Sequence, residues 1–260
     1  MRRDRRGWGA TAALALTLLW AAADSPAQPA RSIERVKAAI VAVGTFQRTR
    51  SPAFQFRGTG FAVADGLTIV TNAHVLPETV DSEKLEGLAV LLPAVGREVQ
   101  VRAATRGPVD AAHDLALLRV GGAPLPALAL RDSAGVREGD SVLFTGFPIG
   151  AVLGPFPATH RGMVAAITPI VIPPPNARQL DPAMIRQLAG GPFPVFQLDA
   201  TAYPGNSGSP LYAPDTGEVV GVVNMVFVKR TKEAALTEPS GISYAIPSRY
   251  LIELLKRSSR

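Results

Sequence analysis

The chain has 260 residues, of which 47% are hydrophobic and none is cysteine, and its formal net charge at pH 7 is +6. The lack of cysteine excludes disulfides, thiol catalysis and cysteine-based zinc sites, and only three histidines could serve as metal ligands. We therefore expect neither a metal nor a cofactor. The 24 glycines and 23 prolines favour a turn-rich β protein.

The first residues have the pattern of an export signal. Four arginines within the first six residues precede an apolar run that ends in Ala21, Ala22 and Ala23. This pattern predicts a signal peptide over 1–23, a linker over 24–32 and a periplasmic or secreted protein; an uncleaved membrane anchor is the alternative. Cleavage would remove four arginines and one aspartate and so lower the net charge to +3. The mature chain then has no basic cluster with interleaved aromatics, so neither nucleic acid nor a stable membrane association is expected.

Short apolar runs separated by turn residues follow in the rest of the chain. They are rich in Val, Ile, Leu and Phe, and their spacing is typical of β-sandwiches and barrels. The absence of long amphipathic helices between them disfavours a doubly wound α/β fold. The predicted strands lie within 33–43, 54–57, 60–64, 67–71, 87–92, 98–104, 115–120, 141–146, 162–168, 194–199, 209–213, 218–228 and 242–246.

A glycine-rich segment divides these strands into two groups. It covers 121–140 and predicts a boundary between a first β unit over 33–125 and a second over 136–247. Apolar residues three and four positions apart after Pro247 predict a C-terminal helix over 248–257. The two units would enclose a cleft, and clefts between units are common places for active sites.

One long loop interrupts the series of strands. Residues 173–193 begin with three prolines and contain a helix signature, with Asp181 as the cap, Pro182 in the first turn and Gly190 at the end. Long loops in compact domains are usually functional or mobile.

Three motifs point to nucleophilic hydrolysis: Thr71-Asn72-Ala73-His74-Val75, Asp114-Leu115-Ala116-Leu117 and Gly205-Asn206-Ser207-Gly208-Ser209-Pro210. A serine hydroxyl is a weak nucleophile unless a base takes its proton and a carboxylate orients the base. Each residue alone has an ordinary explanation, because serine favours turns, histidine can lie in a core and aspartate can cap a strand. Together they favour a catalytic triad, whereas we interpret His113 as a packing or solvated residue.

In this order the motifs resemble those of the trypsin-like (chymotrypsin-fold) serine peptidases, and the chain is most similar to bacterial HtrA-like and glutamyl-endopeptidase-like members. Gly58-Thr59-Gly60-Phe61, Leu198-Asp199-Ala200 and Gly241-Ile242-Ser243-Tyr244-Ala245-Ile246-Pro247 also match the family. The resemblance implies an all-β fold of two six-stranded antiparallel β-barrels with a short C-terminal helix. HtrA-like proteins usually carry a PDZ domain after the protease, but this sequence ends soon after its last match, so none is expected.

The resemblance also implies a role for each motif. Ser207 would attack a peptide carbonyl and form an acyl-enzyme, His74 would transfer the proton, and Asp114 would orient His74. The backbone N–H groups of Gly205, Asn206 and Ser207 are the expected oxyanion hole. The implied function is a serine endopeptidase with protein or peptide substrates, and a latent or inactive protease-fold binding protein is the alternative.

The specificity pocket can be assigned only by the same resemblance. It would contain no acidic residue to pair with a substrate lysine or arginine, and an unpaired buried cation is costly. We therefore expect a preference for a small or medium apolar residue. A glutamate preference is the second choice, because glutamyl endopeptidases use a histidine in this pocket and His160 is the candidate. The expected pocket residues are Thr201, Ala202, Asn224, Met225 and Val226.

Overall fold

The computed structural model describes residues 28–92, 100–148, 156–170, 192–224 and 242–258. The predicted signal peptide, the helix after Asp181, and the pocket residues Met225 and Val226 lie outside the described residues.

Twelve strands form two closed antiparallel barrels, which confirms the predicted fold class. In the first barrel the strand order is β1-β2-β3-β6-β5-β4, and pairing of β1 with β4 closes it. In the second the order is β10-β11-β12-β9-β8-β7, and pairing of β10 with β7 closes it. The strands are β1 (Ile40–Phe46), β2 (Phe54–Val63), β3 (Thr68–Asn72), β4 (Gly87–Leu91), β5 (Val101–Asp110), β6 (Leu115–Val120), β7 (Ser141–Gly146), β8 (Ala158–Ile170), β9 (Phe193–Asp199), β10 (Pro210–Tyr212), β11 (Val219–Asn224) and β12 (Ile242–Pro247).

The alternation of side chains along β1 explains why almost the whole strand is apolar. Val41 and Val43 point into the interior of the first barrel. Ile40 and Ala42 belong instead to a second cluster that also contains Tyr212 and other residues of the second barrel. Successive strand residues face opposite sides, so a strand with a buried environment on both sides needs apolar residues at every position. The cluster between the barrels therefore holds the two halves of the molecule together.

The chain crosses from one barrel to the other within a few residues. Leu128 forms a parallel bridge with Val63 in β2, whereas Leu130 forms one with Val219 in β11. The crossing thus lies at Ala129, inside the glycine-rich segment that predicts the boundary.

The helix α1 (Gln28–Ala39) corrects two expectations from the sequence. Residues 28–32 belong to this helix rather than to a linker, and the predicted strand over 33–43 begins only at Ile40. The physical reason is helical spacing, since Ser32, Val36 and Ala39 fall on one face and are fully buried. This face packs on the second barrel, where Ser32 Oγ donates a hydrogen bond to Pro214 O at 2.6 Å.

The helix α2 (Ser248–Ser258) lies where the sequence predicts a C-terminal helix. Leu251 and Leu254 are buried in the cluster between the barrels. Within the described ranges, no helix is long and apolar enough to span a lipid bilayer.

Candidate active site

His74 lies on a short 3-10 turn, Ala73–Val75, that directly follows β3. Asp114 lies at the end of the turn between β5 and β6, and β3 pairs with β6 so that Asn72 is opposite Leu115. This register places the histidine and the aspartate next to each other, although forty residues separate them in sequence. Strand pairing in the first barrel is therefore what brings the two motifs together.

The carboxylate of Asp114 holds His74 at two points. Asp114 Oδ2 lies 2.5 Å from His74 Nδ1, and Asp114 Oδ1 accepts the backbone N–H of His74 at 2.8 Å. The side chain of Asp114 is 8% exposed, whereas that of His74 is 30% exposed. Because the carboxylate occupies Nδ1, Nε2 is the ring nitrogen that remains for any proton transfer.

Asn224 adds a contact from the second barrel. Its Nδ2 donates to Asp114 Oδ2 at 2.6 Å, and the residue is fully buried at the end of β11. The family resemblance assigns Asn224 to the specificity pocket, but in the structure its side-chain amide binds the carboxylate of Asp114. The same hydrogen bond links the two barrels at the site.

Ser207 is buried, with 6% of its surface exposed, and belongs to the second barrel. Its carbonyl accepts the N–H of Thr59 at 2.8 Å, which anchors it to β2 of the first barrel. A Cβ added at Gly58 would lie 2.7 Å from Val75 and 3.0 Å from Ser207 O. Gly58 is therefore where the turn of His74 and the serine motif meet. Among the described residues, Ser207 Oγ makes no hydrogen bond to His74, and such bonds commonly tighten only when substrate binds.

The serine motif consists of two consecutive turns. The first is closed by the bond from Asn206 N to Tyr203 O at 2.9 Å, and the second by the bond from Ser209 N to Asn206 O at 3.0 Å. Gly205 has φ +104° and Gly208 has φ +87°, so each turn has a glycine at a position that other residues rarely adopt.

This arrangement corrects one member of the predicted oxyanion hole. The N–H of Asn206 donates to Tyr203 O, so it is not available to a substrate oxygen. Within the described part of the chain, the N–H groups of Gly205 and Ser207 have no backbone acceptor and remain as candidate donors. The Asn206 side chain is fully buried and faces Gly146, where an added Cβ would lie 3.0 Å from its Oδ1.

Thr201 and Ala202 lie just before the serine motif, and Thr201 is partly exposed. The sequence analysis includes Ser243 only as a member of a family motif. In the structure, its hydroxyl fixes the backbone of residues 200–202. Ser243 Oγ accepts the N–H of Ala202 at 2.9 Å and donates to Ala200 O at 2.7 Å. A buried serine in an otherwise apolar strand is the signal that could have identified this role.

His160 lies in β8 and its ring stacks on Phe144, with the ring centroids 4.8 Å apart. The ring of Tyr203, in the serine motif's first turn, is 6.1 Å away. Burial lowers the pKa of His160, because the imidazolium form is poorly solvated there. A neutral imidazole provides no fixed positive charge for a glutamate side chain.

Comparison with known proteins identifies the family of the chain. The model of the trypsin-like peptidase domain matches residues 58–222, and the chain belongs to that family. The mitochondrial serine protease HTRA2 of Bos taurus is 35% identical over 205 residues, which cover 78% of this chain and 36% of that protein. A probable periplasmic serine endoprotease, DegP-like, of Halomonas elongata is 30% identical over 191 residues, which cover 73% of this chain and 32% of that protein.

The chain therefore spans about a third of the length of these curated relatives. A solved structure of an HtrA-type protease, AlgW, with a tripeptide superposes with a TM-score of 0.59 at 22% identity. The match covers 88% of this chain and 62% of that one, and it supports the fold. In the described residues, no group of three or more His, Cys, Asp or Glu side chains is arranged to hold a metal ion.

Proposed function

We propose that this protein is a serine endopeptidase that cleaves protein or peptide substrates through an acyl-enzyme. The observation that carries the proposal is the two-point contact of Asp114 with His74, at 2.5 and 2.8 Å, beside a serine motif that meets the histidine turn at Gly58. A carboxylate in this position fixes the imidazole tautomer and stabilises the imidazolium that forms when Ser207 loses its proton. The trypsin-like family and its HtrA-type relatives support the same activity.

The proposed reaction has two stages. His74 Nε2 removes the proton of Ser207 Oγ as the oxygen attacks the peptide carbonyl, and it then protonates the leaving amine. The N–H groups of Gly205 and Ser207 stabilise the negative oxygen of the tetrahedral intermediate, a contribution of about 3 kcal/mol per donor. Water then enters and hydrolyses the acyl-enzyme by the same proton transfers in reverse order.

We also propose that the substrate residue before the cleaved bond is small or medium and apolar. Thr201 and Ala202 present no charge at the expected pocket, and Asn224 is committed to Asp114. The lowered pKa of His160 speaks against a glutamate preference. A peptide library would test this assignment, and dominant cleavage after glutamate would contradict it.

Export is the remaining part of the proposal. The arginine-rich start and the apolar run before Asp24 support it, as does similarity to probable periplasmic DegP-like proteases. N-terminal sequencing of protein from the periplasm or medium should begin at Asp24. A cytoplasmic chain that begins at Met1 would contradict it.

The activity is tested with the mature protein, casein and a serine-directed phosphonate. Wild type should degrade casein and take up the label, whereas Ser207→Ala should do neither because the nucleophile is gone. Ser209→Ala is a matched control, since the Ser209 hydroxyl is buried and has no hydrogen-bond partner in the described residues. If wild type neither cleaves nor labels, the chain is a latent or inactive protease-fold binding protein instead.

A further inference from the structure

A second buried carboxylate, Asp110, lies near the candidate site but has no role in the proposed reaction. It is the last residue of β5, it pairs with Leu115 at the start of β6, and it is 8% exposed. The four residues between them form the turn that ends in Asp114. Whatever holds Asp110 therefore holds the base of the turn that carries the candidate acid.

Asp110 is held from its own turn and from α2. Asp110 Oδ2 lies 3.0 Å from His113 Nδ1 and accepts a hydrogen bond from Arg257 Nη2 at 2.6 Å. Asp110 Oδ1 accepts the backbone N–H of His113 at 3.2 Å. Burial alone would raise the pKa of Asp110, but hydrogen bonds from His113 and Arg257, together with the electrostatic interaction with His113, outweigh it and hold the pKa at about 2.

Aromatic contacts fix the other side of the turn. The His113 ring stacks on Tyr250 of α2 at 4.0 Å between centroids, with 17° between the planes. It also meets the edge of Phe193, at the start of β9, at 4.7 Å. His113 is thus a packing residue, and its aromatic partners belong to the second barrel and the helix that follows it. We call Asp110, His113, Tyr250 and Arg257 the acid-turn clamp.

We propose that Arg257 is a positioning residue for Asp114, acting through Asp110 and His113 of the acid-turn clamp. This inference rests on the proposed function, because it assigns a purpose to the exact placement of Asp114. The triad is divided, with His74 and Asp114 on the first barrel and Ser207 on the second. The acid-turn clamp connects the turn that ends in Asp114, on the first barrel, to α2, which follows the second barrel.

We expect loss of the Arg257 side chain to reduce the turnover rate more than it reduces the free energy of unfolding. The Arg257 side chain is 60% exposed, so solvent screens its ion pair with the buried Asp110, and His113 still holds that carboxylate when Arg257 is removed. By contrast, small displacements of catalytic groups have large effects, since a shift of about 1 Å can reduce the rate by about 100-fold. The variant Arg257→Ala should therefore fold and still lose activity.

The first experiment compares three variants of the mature protein, with active sites counted by phosphonate labelling and initial rates measured on fluorophore-labelled casein. Arg257→Ala should lower kcat by about tenfold with little change in KM, as expected for a misplaced catalytic group. Lys256→Ala removes an exposed charge from the same helical turn and should behave like wild type. Arg257→Lys restores the positive charge and should recover most of kcat.

The second experiment separates positioning from general support. In an Asp114→Asn background, Arg257→Ala should cause no further fall in the rate of phosphonate labelling, because the carboxylate it positions is absent. An equal fall in both backgrounds, or wild-type kcat in Arg257→Ala, overturns the inference. A wild-type protein that neither labels nor cleaves casein overturns the proposed function instead.

Discussion

Asp114 has a backbone conformation that few aspartates adopt. Its φ is +52°, in the left-handed region, which costs a residue other than glycine about 1–2 kcal/mol. Its carbonyl compensates by accepting two hydrogen bonds, from Asn72 Nδ2 at 3.0 Å and from Ala73 N at 3.1 Å. Asn72 is fully buried, so its amide serves the backbone of Asp114 rather than solvent. The residue that precedes the histidine turn thus fixes the conformation of the acid.

We predict that Asn72→Ala lowers turnover by about fivefold, because loss of one buried hydrogen bond to Asp114 removes about 1 kcal/mol of the interactions that hold its carboxylate in place. Casein hydrolysis per labelled active site is the measurement. Unchanged turnover together with a lower melting temperature would show that Asn72 supports only the fold.

For single residues, the sequence identifies those that belong to short motifs but not those whose contacts are with residues far away in the chain. Ser207, His74 and Asp114 are predicted from short patterns. Asn224 and Arg257 have partners 110 and 147 positions away, and nothing in their immediate neighbours indicates those contacts. Asn206 shows the opposite error, because the motif includes it but a local turn uses its N–H.

Among the structural elements, the seam between β1 and β4 is closed by a carboxylate. Glu86 directly precedes β4, and its Oε1 accepts hydrogen bonds from Thr45 Oγ1 at 2.6 Å and from Arg50 Nη1 at 2.7 Å. Its Oε2 accepts the N–H of Asp81 at 3.2 Å. These bonds, first of all that from Thr45, lower the pKa of Glu86 to about 2. The first barrel is therefore closed by an ionised group as well as by its backbone ladder.

We predict that Glu86 makes the first barrel sensitive to acid. Since folding lowers the pKa of this carboxyl from 4.5 to about 2, its stabilisation is complete above about pH 4.5 and is lost as the pH falls towards 2. The free energy of unfolding of Glu86→Gln should be below that of wild type at pH 7, and the difference should shrink between these two pH values. Glu83→Gln, at an exposed position, is the control. A difference that stays constant with pH would contradict the assignment.

The sequence predicts the strands correctly but misses the helix α1, and the difference has a physical reason. Strands are recognised because apolar residues recur between turn residues, and most of the predicted runs overlap observed strands. α1 is missed because its apolar residues run without a break into β1, so that a helix and a strand share one hydrophobic segment. Ala39 of the helix and Ile40 of the strand are both buried in the cluster between the barrels, so hydrophobicity alone does not mark where the helix ends.

At the scale of the whole described structure, the helices α1 and α2 both connect the two barrels. α1 leads directly into β1 of the first barrel but packs on the second, where Arg35 Nη2 donates to Thr216 O at 2.7 Å. α2 follows β12 of the second barrel and reaches Asp110 of the first through Arg257. α1 therefore packs on the neighbouring barrel and α2 contacts both barrels, in addition to the apolar cluster that the barrels share.

We predict that Val36→Ala lowers the free energy of unfolding by about 2 kcal/mol, because it removes two buried methyl groups and leaves a cavity. Glu34→Ala, on the exposed side of the same helix, should change it by less than about 0.5 kcal/mol. Chemical unfolding followed by fluorescence and circular dichroism is the measurement. Equal stability of both variants would show that α1 is not part of the folded unit.

The position of the crossing at Ala129 has a practical consequence, because α1 and α2 each contact the other barrel. If the chain is cut between Leu128 and Leu130, one fragment keeps α1 with the first barrel and the other keeps α2 with the second. Each fragment then carries a recognition element for its counterpart, while neither contains a complete set of His74, Asp114 and Ser207. When the two fragments are co-expressed, they should associate into an active protease, so that casein cleavage measures their association.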